Sequence, residues 1–165
     1  METILKNRCV HLILFLGLIL ACNNVSEFNQ YKSIANNSWA KNDTISFQFE
    51  IKDTISPKNL FINIRNNSAY EFSNLYVITT LKFPDNKLII DTLQYKMADV
   101  NGRFLGEGFS EIKENKLFYK ERKVFPNAGF YHFKIRQAMR KNGVIEPIQA
   151  LQGIQDVGLS IEKTQ

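Results

Sequence analysis

The chain carries one continuous apolar run near its start and many short alternating segments after it. The run spans residues 10–20, follows Lys6 and Arg8, and ends just before Cys22. A basic segment, a short apolar segment and a small residue before the junction are typical of a secretory signal. The run is shorter than the roughly 20 apolar residues that a membrane-spanning helix needs. We therefore predict a signal peptide over residues 1–21; an uncleaved anchor or a core strand is the alternative.

The junction itself predicts lipid attachment. Cys22 directly follows Ile19-Leu20-Ala21, and this segment resembles the bacterial lipobox, whose cysteine thiol receives a diacylglycerol. The other cysteine, Cys9, lies within the signal, so the mature chain would keep a single, unpaired cysteine at its own N-terminus. Two or more acyl chains there would hold the protein at a bilayer. The alternative is an ordinary signal cut before an unmodified cysteine.

Strand patterns dominate the rest of the chain. Residues 23–38 are polar and rich in Asn and Ser, so we expect residues 22–38 to be a lipidated N-terminus and tether. Apolar and polar residues alternate strictly over Ile45–Ile51, which predicts a strand with one buried face. Further strands are predicted at 60–65, 75–83, 88–97, 118–125, 130–138 and 157–163.

Turn residues separate these strands. Pro84-Asp85-Asn86-Lys87 and Pro126-Asn127-Ala128-Gly129 each join two predicted strands. No long helical period interrupts the series. The pattern therefore predicts an all-β fold, an antiparallel β-sandwich of seven to eight strands formed by one domain over residues 39–165.

The charge balance favours anionic partners. The formal net charge is +5, one unit of which belongs to the predicted signal, and the pI is about 9.2. Much of the excess lies between residues 113 and 141. Lipid headgroups or an acidic protein surface would suit such a chain. Nucleic acid is excluded as a partner, because the chain is predicted to be exported and carries no nucleic-acid-binding motif.

The residues offer little for catalysis. Outside the signal the chain has one histidine, His132, and no cysteine after Cys22, so a His/Cys zinc site cannot form. No Gly-x-Ser-x-Gly motif is present. Most acidic residues fall in turns or alternate with apolar ones, as on a solvated sheet face. We expect no enzymatic activity, no metal and no cofactor.

Basic side chains form the more informative set. Along residues 130–140 they share one parity, opposite to the apolar residues, and so should project together from a sheet. Two more do likewise on the preceding predicted strand, and pairing of the two strands would build one basic docking face. An ordinary solvated face with edge lysines is the alternative. The set is Lys120, Arg122, His132, Lys134, Arg136 and Arg140.

Residues 65–76 form a second candidate contact region, dense in polar donors beside aromatic residues. Arg65 should pair with a carboxylate such as Asp91, since guanidinium groups bind carboxylates in a bidentate manner. The aromatic residues are expected in the core, or otherwise as platforms for a sugar. They are Phe61, Tyr70, Phe72 and Tyr76.

An ordered set of motifs over nearly all of the predicted mature chain resembles the gliding-motility lipoprotein family GldH. The motifs are Trp39, Phe47-x-Phe49-x-Ile51-x-Asp53, Ile64-Arg65-Asn66, Tyr70, Phe72-Ser73-Asn74-Leu75, Gly102, Leu105-Gly106-x-Gly108, Pro126-x-x-Gly129-x-Tyr131-x-Phe133, Gln137-x-Met139-Arg140 and Leu151-x-Gly153-Ile154-x-Asp156-Val157-Gly158-Leu159. The sequence departs from the family pattern at Phe104, where a tryptophan is expected.

The resemblance implies a non-enzymatic lipoprotein needed for surface gliding, working beside the type-nine secretion apparatus with other gliding and secretion lipoproteins. It implies no catalytic residues. The segment Asn23-Asn24-Val25-Ser26 lacks the acidic residues common after a surface-displayed cysteine, so we expect an outer-membrane lipoprotein that faces the periplasm. A carbohydrate- or peptidoglycan-binding module is the second hypothesis, and an envelope hydrolase the third.

Overall fold

The computed structural model describes residues 26–108 and 111–164. The predicted signal, the lipidation site Cys22 and the first residues of the predicted tether lie outside this range. Within it, the longest apolar elements are strands, and no helix has the length and apolarity to cross a membrane.

Ten strands account for most of the described residues. Between the first two lies a short 3-10 turn, Ala35–Asn37. The strands are β1 (Ser26–Ser33), β2 (Ser38–Ala40), β3 (Ile45–Ile51), β4 (Lys58–Asn66), β5 (Asn74–Lys82), β6 (Leu88–Lys96), β7 (Lys113–Lys123), β8 (Gly129–Gln137), β9 (Ala150–Gln152) and β10 (Ile154–Lys163). The all-β prediction is confirmed, and β1, β2 and β9 are the strands that the alternation did not indicate.

The strands form two four-stranded antiparallel sheets and one ribbon. Sheet A has the order β1-β10-β4-β7, sheet B has the order β3-β8-β5-β6, and β2 pairs with β9. One buried cluster takes its side chains from both large sheets. The predicted antiparallel β-sandwich is therefore confirmed.

Period-two alternation explains how each sheet supplies its half of the core. Along β3 every apolar residue is buried and every polar residue exposed. Within the core, the ring of Tyr131 stacks on Phe49 at 5.6 Å and meets Phe125 edge-on at 4.8 Å. The Tyr131 hydroxyl donates to the Asn127 carbonyl at 2.8 Å, so its polar atom stays satisfied. Each fully buried side chain of this kind contributes about 1.5–3 kcal/mol.

The sandwich has two different ends. The end at which β1 begins, called here the Ser26 end, holds the short connections 52–57, 83–87 and 124–128. In the strand register at this end, Ser26 of β1 lies opposite Glu162 of β10, and Lys58 of β4 lies opposite Lys163 of β10. The opposite end holds the longer connections and the β2–β9 ribbon.

The segment from Ser26 to Ser33 differs from the tether predicted for residues 22–38. It is the edge strand of sheet A and pairs with β10 along its length. Phe28 packs against Phe49 of the opposite sheet at 5.7 Å. The alternation did not reveal β1 because most of its side chains are exposed.

A polar cluster on the outer face of sheet A fastens β1 to the other strands. The Tyr31 ring lies over Gly158, and its hydroxyl donates to the Glu114 carboxylate on β7 at 2.5 Å. Arg65 donates to the same carboxylate at 2.9 Å and stacks on Tyr31 at 4.1 Å. The predicted pairing of Arg65 with Asp91 is wrong, because Asp91 belongs to sheet B.

Glycine is required where the opposite end folds back on itself. Gly153 has φ +82°, and a Cβ there would lie 2.2 Å from the Tyr70 backbone nitrogen. Gly143 also has a positive φ, +74°, but a Cβ there would meet nothing within 4 Å. We expect Gly153→Ala to lower the free energy of unfolding by roughly 4 kcal/mol, since it adds a backbone clash to left-handed strain.

Gly143→Ala is the matched control and should cost only about 1–2 kcal/mol, the strain alone. Urea unfolding of both variants measures the two losses. Equal losses would show that the Tyr70 contact does not constrain the fold.

Two buried tyrosines, Tyr70 and Tyr119, and the half-buried Tyr95 are expected to make the domain sensitive to high pH. Burial raises the pKa of Tyr70, Tyr95 and Tyr119 above the usual value. Because the pKa is higher in the folded state, each neutral tyrosine makes its full contribution to the free energy of unfolding below the unfolded-state pKa of about 10. That contribution is lost as the pH rises above this value. We expect the unfolding midpoint in urea to be constant from neutral pH to about pH 9 and to fall beyond pH 10. A midpoint unchanged at pH 11 would contradict this.

Candidate functional site

Three of the predicted basic residues project together from the outer face of sheet B. On β8, Tyr131, Phe133 and Ile135 point into the core, which turns His132 and Lys134 fully outward and leaves Arg136 half-buried. Because β8 is an inner strand of its sheet, these side chains lie near the middle of the face.

A further basic residue joins them from β5. Lys82 stands directly opposite His132 across the β5–β8 pairing, and Thr80 stands opposite Lys134. Adjacent strands lie about 4.7–4.9 Å apart, so these side chains are neighbours. No local pattern in the sequence indicates that Lys82 belongs to this group, because β5 and β8 are about fifty residues apart along the chain.

Among the described residues, none of His132, Lys134, Arg136 or Lys82 forms an ion pair. Glu50 on β3 is the nearest acidic residue in the register of this face, and it pairs with Lys52 at 3.5 Å. The face therefore presents a positive potential that reaches about one Debye length, roughly 8 Å at physiological salt.

Exposed aliphatic residues border the cations. On the edge strand β6, Leu88 stands opposite Lys82 and is 58% exposed, while Ile90 stands opposite Thr80 and is 66% exposed. We call the set Lys82, Leu88, Ile90, His132, Lys134 and Arg136 the basic-aliphatic face. Cations beside apolar side chains on a flat sheet can attract and then bury an acidic, partly apolar surface.

The prediction that β7 and β8 pair is wrong, so the six basic residues do not form one face. β7 lies at the edge of sheet A, and the connection 124–128 crosses to sheet B. Lys120 pairs with Asp91 of β6 at 2.9 Å and has a structural role at the seam between the sheets. Arg122 lies near the Ser26 end, where its N–H donates to Asn59 at 2.8 Å.

Arg140 is also separate from the face. It follows β8, forms an isolated backbone bridge with Pro147 and lies exposed at the opposite end of the sandwich. In the sequence, Arg140 falls at the same alternate positions as the basic residues of β8. The strand ends at Gln137, however, so the alternation of side-chain direction does not extend to Arg140.

The 65–76 region is mainly structural. Tyr70 is buried, and Phe72 and Tyr76 are half-buried against the core, as expected of core aromatics. Phe61 is also buried, on the outer side of sheet A, where the half-exposed Phe118 covers it at 4.5 Å between ring centroids.

The described residues hold no cluster of three or more histidine, cysteine or acidic side chains that could bind a metal. His132 lies on an exposed strand position and makes no hydrogen bond to a carboxylate or hydroxyl group there.

Comparison with known proteins gives a consistent result. A family model described as GldH lipoprotein matches residues 26–161. A gliding motility lipoprotein GldH homolog of Christiangramia forsetii is 46% identical over 147 residues, covering 89% of this chain and 90% of the relative. The gliding motility lipoprotein GldH of Flavobacterium johnsoniae is 40% identical over 159 residues, covering 96% of this chain and 98% of the relative.

Solved structures resemble the chain only distantly. The VP2 subviral particle of infectious bursal disease virus has a TM-score of 0.34 at 12% identity and is matched over 83% of this chain but 34% of its own. The Gx strain of the same virus gives a TM-score of 0.37 at 11% identity, with 83% and 33% covered. These scores carry no argument about function.

Within the described residues, some of the basic side chains form ion pairs and others do not, and this difference can be tested by mutation. Lys120→Ala removes the ion pair with Asp91 at the seam and should lower the free energy of unfolding by about 1 kcal/mol. Lys134→Ala, the matched control, removes an unpaired exposed cation and should change it by less than about 0.5 kcal/mol. Denaturant unfolding measures both; equal losses would contradict the division.

Proposed function

The chain belongs to the GldH lipoprotein family, and from this membership we propose that it is a non-enzymatic scaffold or assembly component of the bacterial gliding machinery. It works with type-nine protein secretion and with other gliding and secretion lipoproteins. Its task is to hold partner proteins in place at a membrane.

The basic-aliphatic face carries this proposal. Its cations lack ion-pair partners among the described residues, and its aliphatic side chains are more than half exposed. Exposed charges of one sign speed the association of an oppositely charged partner, while apolar contacts slow the dissociation of the complex. The proposed partner is an envelope protein with an acidic surface and a small apolar patch.

Membrane attachment supplies the second part of the proposal. Acylated Cys22 holds the protein in the cell envelope, and two or more acyl chains make that attachment lasting. Outer-membrane placement with the domain in the periplasm is supported by the lack of acidic residues in Asn23-Asn24-Val25-Ser26.

A glycan-binding function is the second candidate, and one observation favours it. Phe118 is half-exposed on the outer face of sheet A and packs against Phe61 with the two rings tilted by 50°. The Lys116 ammonium lies 4.3 Å from the Phe61 ring centroid. An exposed ring beside polar groups can stack on a sugar. This site and the basic-aliphatic face lie on different sheets, so variants can separate them.

Affinity recovery of envelope proteins with the tagged lipoprotein tests the docking proposal. The double charge reversal Lys134→Glu/Arg136→Glu should reduce recovery of partner proteins by roughly tenfold or more, because it replaces attraction with repulsion. The unfolding midpoint should stay near the wild-type value, since both residues lie on the outer face.

Lys141→Glu/Arg103→Glu is the matched control, because it makes the same charge change at exposed positions of the opposite end. Partner recovery should be unaffected in this variant. Wild-type recovery with the Lys134/Arg136 variant would remove the docking proposal. Retention on peptidoglycan that depends on Phe118, without recovered proteins, would favour the glycan-binding candidate.

A further inference from the structure

The distance between Cys22 and the folded domain is short. Four residue steps separate Cys22 from Ser26, and an extended chain advances at most about 3.6 Å per step, so the link spans no more than about 14 Å. β1 begins at Ser26. The nine-residue strand β4 alone is roughly 30 Å long. An acyl group on Cys22, which is part of the proposed function, therefore keeps the Ser26 end close to the bilayer.

At this end the β3–β4 connection exposes an isoleucine. Ile55 is 85% exposed. Its backbone is ordered by Asp53, whose carboxylate oxygen Oδ1 accepts the N–H groups of Ile55 at 2.9 Å and Ser56 at 3.0 Å. These bonds and the Ser56 hydroxyl hold the pKa of Asp53 well below its usual range, so the carboxylate keeps its charge. The apolar side chain is thus presented on a fixed turn.

A buried lysine fastens this turn to the start of β1. Lys58 is 1% exposed, and its Nζ lies 2.8 Å from Glu27 and 3.7 Å from Asp53. A buried ammonium group requires such partners. Glu27 is the second residue of β1. Lys58 therefore holds the turn that carries Ile55 beside the N-terminal end of β1, the end nearest to Cys22 in the sequence.

The adjacent connection adds cations and another apolar side chain. Arg122 and Val124 are exposed at the same end, and Arg122 forms no ion pair within the described residues. Lys123 is half-buried, with its ammonium 5.7 Å from the Phe83 ring centroid. Apolar side chains with basic neighbours suit the boundary between lipid headgroups and acyl chains, where phosphates meet hydrocarbon.

We propose that the Ser26 end rests on the bilayer, with Ile55 inserted at the headgroup–acyl boundary and Arg122 directed to lipid phosphates. The strands then stand away from the membrane, and the basic-aliphatic face points sideways along it. The opposite end, with Ile145 82% exposed in the 138–149 connection, lies away from the lipid.

Site-directed fluorescence on the lipidated protein tests this orientation. Ile55→Cys and, as a matched control of equal exposure, Ile145→Cys are labelled with the environment-sensitive probe NBD. Acylation occupies the Cys22 thiol, so the new cysteine is the reactive one. The proteins are reconstituted in phosphatidylethanolamine–phosphatidylglycerol vesicles with and without nitroxide-labelled lipids. We expect blue-shifted emission at position 55 and quenching there several-fold stronger than at position 145.

The outcomes separate this inference from the function on which it rests. Equal signals at the two positions, in protein that floats with the vesicles, would overturn the orientation and leave the lipid anchor in place. Protein that stays out of the vesicle fraction, with a free Cys22 thiol by mass spectrometry, would overturn the anchor and the orientation together.

Discussion

The apolar faces of two sheets bury each other, and every surface feature of this domain takes its position from that contact. No cysteine follows Cys22, so no disulfide can stabilise the described domain. The core must supply the stability, and it does so through buried side chains of both sheets, such as Ile62 and Leu159 of sheet A and Phe49 and Tyr131 of sheet B. Close packing fixes which side of each strand faces inward. The outward residues are then fixed as well.

Polar contacts help to close the edges of the sandwich, alongside the apolar contact of Phe28 with Phe49. At one edge, the Tyr119 hydroxyl and Lys120 both contact Asp91, and the Tyr95 hydroxyl donates to the Phe118 carbonyl at 2.8 Å. At β1, Tyr31 reaches Glu114 across the face of sheet A. Charges near the core are paired in this way, whereas Lys82, Lys134 and Arg136 of the basic-aliphatic face form no ion pair within the described residues. This contrast separates charges that hold the fold from charges available to a partner.

The proposed membrane contact and the proposed protein contact occupy different directions of the same molecule. The Ser26 end lies at one end of the strands, while the basic-aliphatic face runs along them. A protein held by its end offers its side to neighbours at the same bilayer. Fixed orientation reduces the rotational freedom that is lost on association, which favours a scaffold of modest contact area.

Local patterns in the sequence were enough to identify the strands and the family. The alternation of Ile45–Ile51 and of residues 130–138 is a property of neighbouring residues, and it correctly assigned the inward and outward side chains of β3 and β8. The strand β1 was missed because an exposed edge strand buries too little to alternate. The ordered motifs were sufficient for recognition of the GldH family.

The turn at residues 84–87 indicated the β5–β6 hairpin correctly, but tertiary structure decided which of the other strands are neighbours. The residues between β7 and β8 look like a hairpin turn, but the chain crosses there from one sheet to the other, which separates Lys120 and Arg122 from His132 and Lys134. The same long-range pairing brings Lys82 beside His132 and gives Arg65 to Glu114 instead of Asp91. Side-chain direction follows from the two-residue repeat of a strand, whereas strand order depends on how the whole chain buries its apolar surface.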